Sequence, residues 1–166
     1  MPDYLKKSFF INLFIIIIIF SLDRITKFYV ILKSETNLST SLFTSKFLNV
    51  NLIWNEGIAF GLFSFDEKFY YNFMTAIIII ITIVIMWFIT KTKNIEKMAF
   101  TMIFGGALGN IFDRLYYTSV PDFIDIHMGD FHWFIFNVAD IFITLGVICL
   151  IFKEFFSKDK DYEITK

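Results

Sequence analysis

The chain has 166 residues, of which 57% are hydrophobic and 20% aromatic, but only 19% are charged and the formal net charge is −1. An ordinary soluble domain is about 45–50% apolar and about 25% charged, and a chain this small lacks the interior to hide so much apolar surface from water. The composition excludes a disordered chain, and the net charge excludes the basic field that a nucleic-acid partner needs. Cys149 is the single cysteine, so an internal disulfide framework and a CxxC metal site are also excluded. One integral membrane domain covering 1–166 is expected.

The first apolar stretch is uncharged from Ser8 to Leu22 and continues past Asp23, Arg24 and Lys27 to Leu32. As a helix, 8–32 reaches about 37 Å at about 1.5 Å per residue, enough to cross a bilayer core. No small-x-small cleavage site follows it, so it reads as an anchor. An outer segment, 33–68, opens polar and then alternates loosely from Phe47 to Trp54. That pattern predicts short β-strands forming a small cradle at the headgroup level, with Trp54, Phe60, Phe63 and Phe65 at interfacial depth. A second span, 69–89, carries no charge. A third, 95–115, is uncharged from Met98 to Phe112 and ends at Asp113-Arg114. A short outer loop holding Asp122 and Asp125 leads to a fourth span, 131–152, whose one charge is Asp140. A cytoplasmic tail, 153–166, closes the chain. Backbone groups in hydrocarbon must be satisfied internally, so the reading is an all-α membrane protein. Four transmembrane helices carry a small extracytoplasmic β-cradle between helices 1 and 2.

Orientation follows from the basic residues. With the N-terminus inside, nine lysines face inward (Lys6, Lys7, Lys91, Lys93, Lys97, Lys153, Lys158, Lys160 and Lys166). Lys33, Lys46, Lys68 and Arg114 face outward. Both termini are therefore predicted cytoplasmic. In that frame Asp23, Lys27, Asn110, Asp113, Arg114, Asp122, Asp125, Asn137 and Asp140 all fall in the outer third. Ionisable groups at membrane depth are expensive and face the protein interior or a water-filled cavity, so this convergence marks a site. Asp23 and Lys27 are i, i+4, as are Asn110 and Arg114, and Asn137 and Asp140 are i, i+3, so each pair shares a helix face. Plainer roles stand beside these. Gly105 and Gly109 form a small-xxx-small pair suited to helix packing, Asp23 and Lys27 suit a buried structural ion pair, and Arg114 suits an interfacial anchor. Asp140 has no basic partner within a turn of its own helix, so its expected partner is another carboxylate or a water. Between Asp122 and Asp125 the residues alone do not choose. His127, Asp130 and His132 have metal-ligand chemistry, but their spacing fits a polar outer loop better, and no metal is expected. Cys149 lies deep in the fourth span, and no Ser-His-Asp order is present, which disfavours a nucleophilic mechanism.

Five blocks carry a family resemblance. They are Asp23-Arg24-Ile25-Thr26-Lys27, Asn55-Glu56-Gly57-Ile58-Ala59-Phe60-Gly61, Gly105 through Arg114, Val120-Pro121-Asp122-Phe123-Ile124-Asp125, and Phe136-Asn137-Val138-Ala139-Asp140. In that order, on four spans with both ends inside, the chain resembles the lipoprotein signal peptidases (signal peptidase II), bacterial integral membrane aspartyl proteases. The resemblance implies a catalytic dyad of Asp122 and Asp140, supported by Asp23, Lys27, Asn55, Gly57, Asn110, Arg114 and Asn137. It also implies a mobile helix over the substrate. Glu56 stands where the family often has a basic or amide residue, and Pro121 precedes the implied catalytic Asp122.

The implied activity is removal of the signal peptide from a diacylglyceryl-modified prolipoprotein, on the amino side of the lipidated cysteine. Membrane lipid, a monomer and no cofactor are expected, in the bacterial inner membrane with the site toward the extracytoplasmic side. Two carboxylates close together cannot both ionise cheaply, so one keeps a proton and the pair can divide acid and base work on a water. The main alternative is a proton- or ion-coupled transporter, since intramembrane aspartates also mark proton relays. Against it, the second span has no charge and the fourth has none between Asp140 and Lys153. A metal-dependent hydrolase and a non-catalytic assembly subunit are weaker rivals.

Overall fold

The computed structural model of the chain describes residues 3–57 and 67–164. Four helices and four strands follow one another as α1 (Asp3–Asn37), β1 (Ser41–Thr44), β2 (Leu48–Asn55), α2 (Glu67–Lys91), α3 (Asn94–Tyr117), β3 (Val120–Met128), β4 (Phe131–Phe136) and α4 (Val138–Ile164). The interfacial placement of Phe60, Phe63 and Phe65 and the implied mobile helix lie outside the described residues.

Two helices, Ser8–Asn37 and Lys68–Lys91, are long and apolar enough to cross a membrane, with mean hydropathies of 2.1 and 2.7. Helices α3 and α4 have comparable length, 24 and 27 residues, but do not reach that apolarity over a span-length stretch. The four-span expectation is thus matched in length by all four helices and in apolarity by two. The distribution of side chains is inverted relative to a water-soluble domain. Phe10, Phe14, Ile25, Phe28, Phe69, Trp87 and Phe155 are exposed, whereas Asp23, Lys27, Asn110, Asp113 and Asn137 are buried.

The strands form one antiparallel sheet in the order β1-β2-β3-β4. This corrects three expectations. Asp122 and Asp125 lie on strand β3, not in a loop, and the sheet draws half its strands from between α3 and α4. The fourth helix starts at Val138, so 131–136 is strand rather than span. The physical reason is local. Asn137 and Asp140 form a reciprocal cap that starts the helix there, and the aromatic run Phe131–Phe136 pairs along β3 through Ile124↔Phe136 and His127↔His132. Phe123 packs with Val30 of α1 and Leu52 of β2 to seat the sheet on the helices. Side chains alternate along a strand, so its neighbour Asp122 points to the other side.

Helix α3 is central and touches the other three helices. Its glycines set the approach. The Gly105–Gly109 pair faces α1: a Cβ on Gly105 would sit 3.1 Å from the Ile19 Cβ, and one on Gly109 would sit 2.5 Å from the Asp23 carboxylate. Gly106 faces α4, where a Cβ would fall 2.5 Å from the Ala139 carbonyl oxygen and 2.8 Å from Ile143. Backbone cannot yield as a flexible side chain does, so Gly106→Ala should push α3 from α4 and cost about 1–3 kcal/mol. Gly129→Ala has no such clash, since its Cβ meets nothing within 4 Å, and should lose only what its φ of +61° costs a side chain, about 1 kcal/mol. Thermal unfolding in detergent reads both, and a wild-type midpoint for Gly106→Ala would refute the close-approach explanation.

Candidate active site

The polar interior begins with four charges on α1 and α3. Asp23 and Asp113 have no exposed surface and Lys27 has 1%. The Lys27 ammonium has three N–H donors and places bonds on Asp23 Oδ2 at 3.0 Å, Asp113 Oδ2 at 2.6 Å and Asn110 Oδ1 at 2.9 Å. Arg24 donates to both Asp113 oxygens, to Asp23 Oδ2 at 2.6 Å and to the Gly109 carbonyl at 3.2 Å. Its guanidinium lies 4.8 Å over the Phe112 ring. Two acids and two bases cancel, which is what an apolar surround demands of buried charge. Asp23 has a further role: its Oδ1 accepts the Ala139 N–H at 3.0 Å. An acidic group there satisfies one of the free donors at the start of α4 and complements the helix dipole.

The same start of α4 holds Asp140. Asn137 is the residue before the helix, and its Oδ1 accepts the Asp140 N–H at 3.2 Å while Asp140 Oδ2 accepts the Asn137 N–H at 3.1 Å. This is a capping box built from Asn and Asp. Asn137 is also fully buried and donates from Nδ2 to Asp122 Oδ1 at 2.6 Å. One residue therefore joins the two carboxylates, Asp122 through its side chain and Asp140 through its backbone N–H. Asn110 Nδ2 donates to Asp140 Oδ1 at 2.8 Å, and Asn55 Nδ2 donates to Asp122 Oδ2 at 2.8 Å. Asn55 reaches Asp122 diagonally across β2 and β3, since Ile53 is the direct partner of Asp122. A one-residue bulge in β2 between Val50 and Ile53 sets that register. Gly57 N–H donates to Asn55 Oδ1 at 2.8 Å from a backbone φ of +74°, a conformation glycine adopts without strain.

Burial pushes the Asp122 carboxyl above the ordinary range and Asp140 adds to this, against the amides of Asn55 and Asn137 and the Lys27 charge, which pull the other way. A cleft of about 380 Å³ reaches Asp122 between Ile53, Trp54, Asn55, Glu56 and Ile135. Asp140 is partly exposed.

The structure brings together Asp23, Lys27, Asn55, Gly57, Asn110, Asp122, Asn137 and Asp140. Asp140 accepts from an amide and a backbone N–H, those of Asn110 and Asn137. Arg114 stands apart: its guanidinium donates to the Asn110 carbonyl on its own helix at 3.1 Å. Asp125 separates from Asp122 by facing Asn49 and His132, whose Nδ1 is 2.9 Å away. Burial raises that carboxyl, but the bonds from His132 and Asn49 outweigh it and hold it below the ordinary range. His127 stacks on His132 at 5.1 Å, and its ring nitrogens face the carbonyls of Gly129 and Ser45. Asp130 is an exposed turn residue. Among the described residues no group of three His, Cys, Asp or Glu side chains is placed to hold a metal. Arg24 and Asp113 are the members that spacing did not single out. The signal was there in the matched dipeptides Asp23-Arg24 and Asp113-Arg114 at one depth.

Residues 15–156 match the family described as Signal peptidase (SPase) II. The lipoprotein signal peptidase of Pelagibacter ubique is 51% identical over 154 residues, covering 93% of each chain. That of Francisella tularensis subsp. mediasiatica is 38% identical over 159 residues, 93% of this chain and 96% of its own. A bacterial membrane enzyme solved by the in meso method at 2.3 Å resolution superposes with a TM-score of 0.72 at 30% identity, covering 90% of each chain.

The charge balance on α1 and α3 has a measurable consequence. Lys27→Met leaves a buried carboxylate uncompensated and should cost about 3–5 kcal/mol. Adding Asp113→Leu restores neutrality and should recover part of that loss, so the two effects are not additive. Thermal midpoints of the single and double variants test this. A double variant less stable than the sum of the singles would contradict it.

Proposed function

The chain belongs to the signal peptidase II family, and from that membership and the geometry around Asn137 we propose that it cleaves diacylglyceryl-modified prolipoproteins with Asp122 and Asp140 as an aspartate dyad. As a member of this family it is a protease that removes signal peptides from lipoproteins. The finer reading places the cut on the amino side of the lipidated cysteine. The observation that supports it best is the single buried residue Asn137, whose side-chain amide donates to the Asp122 carboxylate while its backbone N–H donates to the Asp140 carboxylate.

The chemistry follows from the two environments. Asp140 accepts two N–H bonds at the N-terminus of α4 and serves as the base that takes the proton as water attacks the scissile carbonyl. Asp122, with its carboxyl pushed up by burial, holds the proton at rest and gives it to the carbonyl oxygen. The C–N bond of the tetrahedral intermediate then breaks, the proton on Asp140 passes to the leaving amine, and Asp122 recovers one from the collapsing diol. No covalent intermediate is needed. The remaining support residues hold this pair in place, with Arg114 anchoring the outer end of α3.

The orientation read from the lysines completes the picture. Four spans with both termini cytoplasmic put the dyad toward the extracytoplasmic side of the bacterial inner membrane. There the acyl chains of the substrate lie in lipid while its signal helix spans downward. The enzyme acts as a monomer.

Asp122→Asn and Asp140→Asn keep shape but cannot exchange a proton. Each should lower turnover by at least about 10²–10⁴, and the double variant should lose little more than either single. Asp125→Asn should keep substantial activity, since that carboxyl faces His132. In the parent enzyme kcat/KM should fall as pH rises through the raised pKa of Asp122, because the acid form is then lost. It should fall again in acid when the base is protonated. Dyad variants that process a diacylglyceryl prolipoprotein at the parent rate would remove the proposal.

A further inference from the structure

We infer that Asn55 and Asn110 are locked in amide orientation by donors outside the dyad, and Asn137 by the Asp140 backbone, so that Lys27 and Gly57 act as positioning residues that set the pH window of catalysis. The inference rests on the reading of Asp122 and Asp140 as the dyad. It concerns what surrounds them.

An amide side chain has a donor end and an acceptor end, and which end faces a neighbour depends on the whole hydrogen-bond network. Here the network leaves no choice. The Asn110 oxygen faces the Lys27 ammonium at 2.9 Å, and an ammonium can only donate. The Asn55 oxygen faces the Gly57 N–H at 2.8 Å, and the Asn137 oxygen faces the Asp140 N–H at 3.2 Å. Backbone N–H groups also can only donate. Each asparagine is thereby forced to turn its NH₂ toward a dyad carboxylate, at 2.8 Å for Asn110, 2.8 Å for Asn55 and 2.6 Å for Asn137. The fourth carboxylate oxygen, Asp140 Oδ2, takes the Asn137 N–H. All four dyad oxygens therefore face one fixed N–H donor each, and none faces a fixed acceptor.

Donors favour the ionised form of a carboxyl, whereas burial and a second carboxylate favour the protonated form. The locked amides offset the second pair of effects, so the dyad holds one proton rather than two over a wide range. The other charges near the dyad do not dominate. Lys27, Arg24 and Asp23 on α1 and Asp113 on α3 neutralise one another, Arg114 is turned to its own helix, Tyr71 of α2 donates to the Arg114 carbonyl, and Glu56 after β2 lines the cleft beside Asp122. Lys27 thus has a second role beside its ion pairs: it reaches Asp140 through Asn110 by fixing which end of the amide points there.

Substitution by aspartate separates this role from a structural one. Asn110→Asp and Asn55→Asp keep the acceptor that holds Lys27 or Gly57, and they replace only the donor that faces the dyad. Asn110→Ala and Asn55→Ala remove the donor without adding charge. The readout is the pH dependence of kcat/KM for the purified full chain in vesicles, with a diacylglyceryl prolipopeptide as substrate, beside thermal midpoints. With Asn110 altered, the acid limb should move to higher pH. With Asn55 altered, the alkaline limb should move to higher pH. Each shift should be at least about one pH unit, the size of a hydrogen bond to a charged group, and the Ala and Asp variants should move in the same direction. The Asn55→Asp variant, at an exposed residue, should keep a midpoint near the parent, whereas Asn110→Asp adds a buried charge and should lose stability. Limbs that stay in place, or that move in the Asp variants but not in the Ala variants, would overturn the inference. If Asp122→Asn and Asp140→Asn themselves stay active, the dyad reading fails instead, which is a separate result.

Discussion

A lysine ammonium with almost no exposed surface must place all three of its N–H bonds inside the protein. Lys27 does so on Asp23, Asp113 and Asn110, and much of the interior is arranged to permit it. Burying charge is expensive and is offset only by close pairing and further hydrogen bonds. Arg24 brings the cluster to neutrality, Gly109 leaves room for the Asp23 carboxylate, and Asp23 spends its remaining oxygen on the start of α4. One cluster thereby fixes α1 to α3 and α3 to the point where α4 begins.

That point is also where the proposed chemistry lies. The helix α4 starts at Val138 because Asn137 and Asp140 cap each other, and the same cap sets the Asp140 carboxylate and aims Asn137 at Asp122. The sheet contributes the other half: the bulge in β2 and the diagonal reach of Asn55 deliver a second donor to Asp122. Helix packing and sheet register meet in one residue, so a shift of either would separate the two carboxylates. The apolar exterior matches a protein whose solvent is lipid at mid-depth, with the polar groups kept inside.

Much of this was legible before any coordinates. Depth alone gathered Asp23, Lys27, Asn110, Asn137 and Asp140, because charge in an apolar span has few places to go. The spacing of Asp23 with Lys27 correctly foretold a buried pair. The end of the fourth span was misread because Phe131–Phe136 is as apolar as a helix interior, and apolarity does not distinguish a span from an aromatic strand at the membrane surface. The Asn-x-x-Asp cap was visible in the same stretch and was the better signal. The pairing of β2 with β3 depends on a bulge and on contacts between segments far apart in sequence, so no local pattern carries it. The choice between Asp122 and Asp125 was likewise not local. It is decided by Asn137 on one side and His132 on the other.

The most direct test of this reading is to incubate the purified enzyme in vesicles with a diacylglyceryl prolipoprotein in ¹⁸O-labelled water and to weigh both products. Direct attack by water predicts a released signal peptide that ends at the residue before the lipidated cysteine and carries ¹⁸O in its new carboxylate. The same protein without its diacylglyceryl group should remain uncut. Cleavage at another bond, or equal processing of the unlipidated protein, would contradict it.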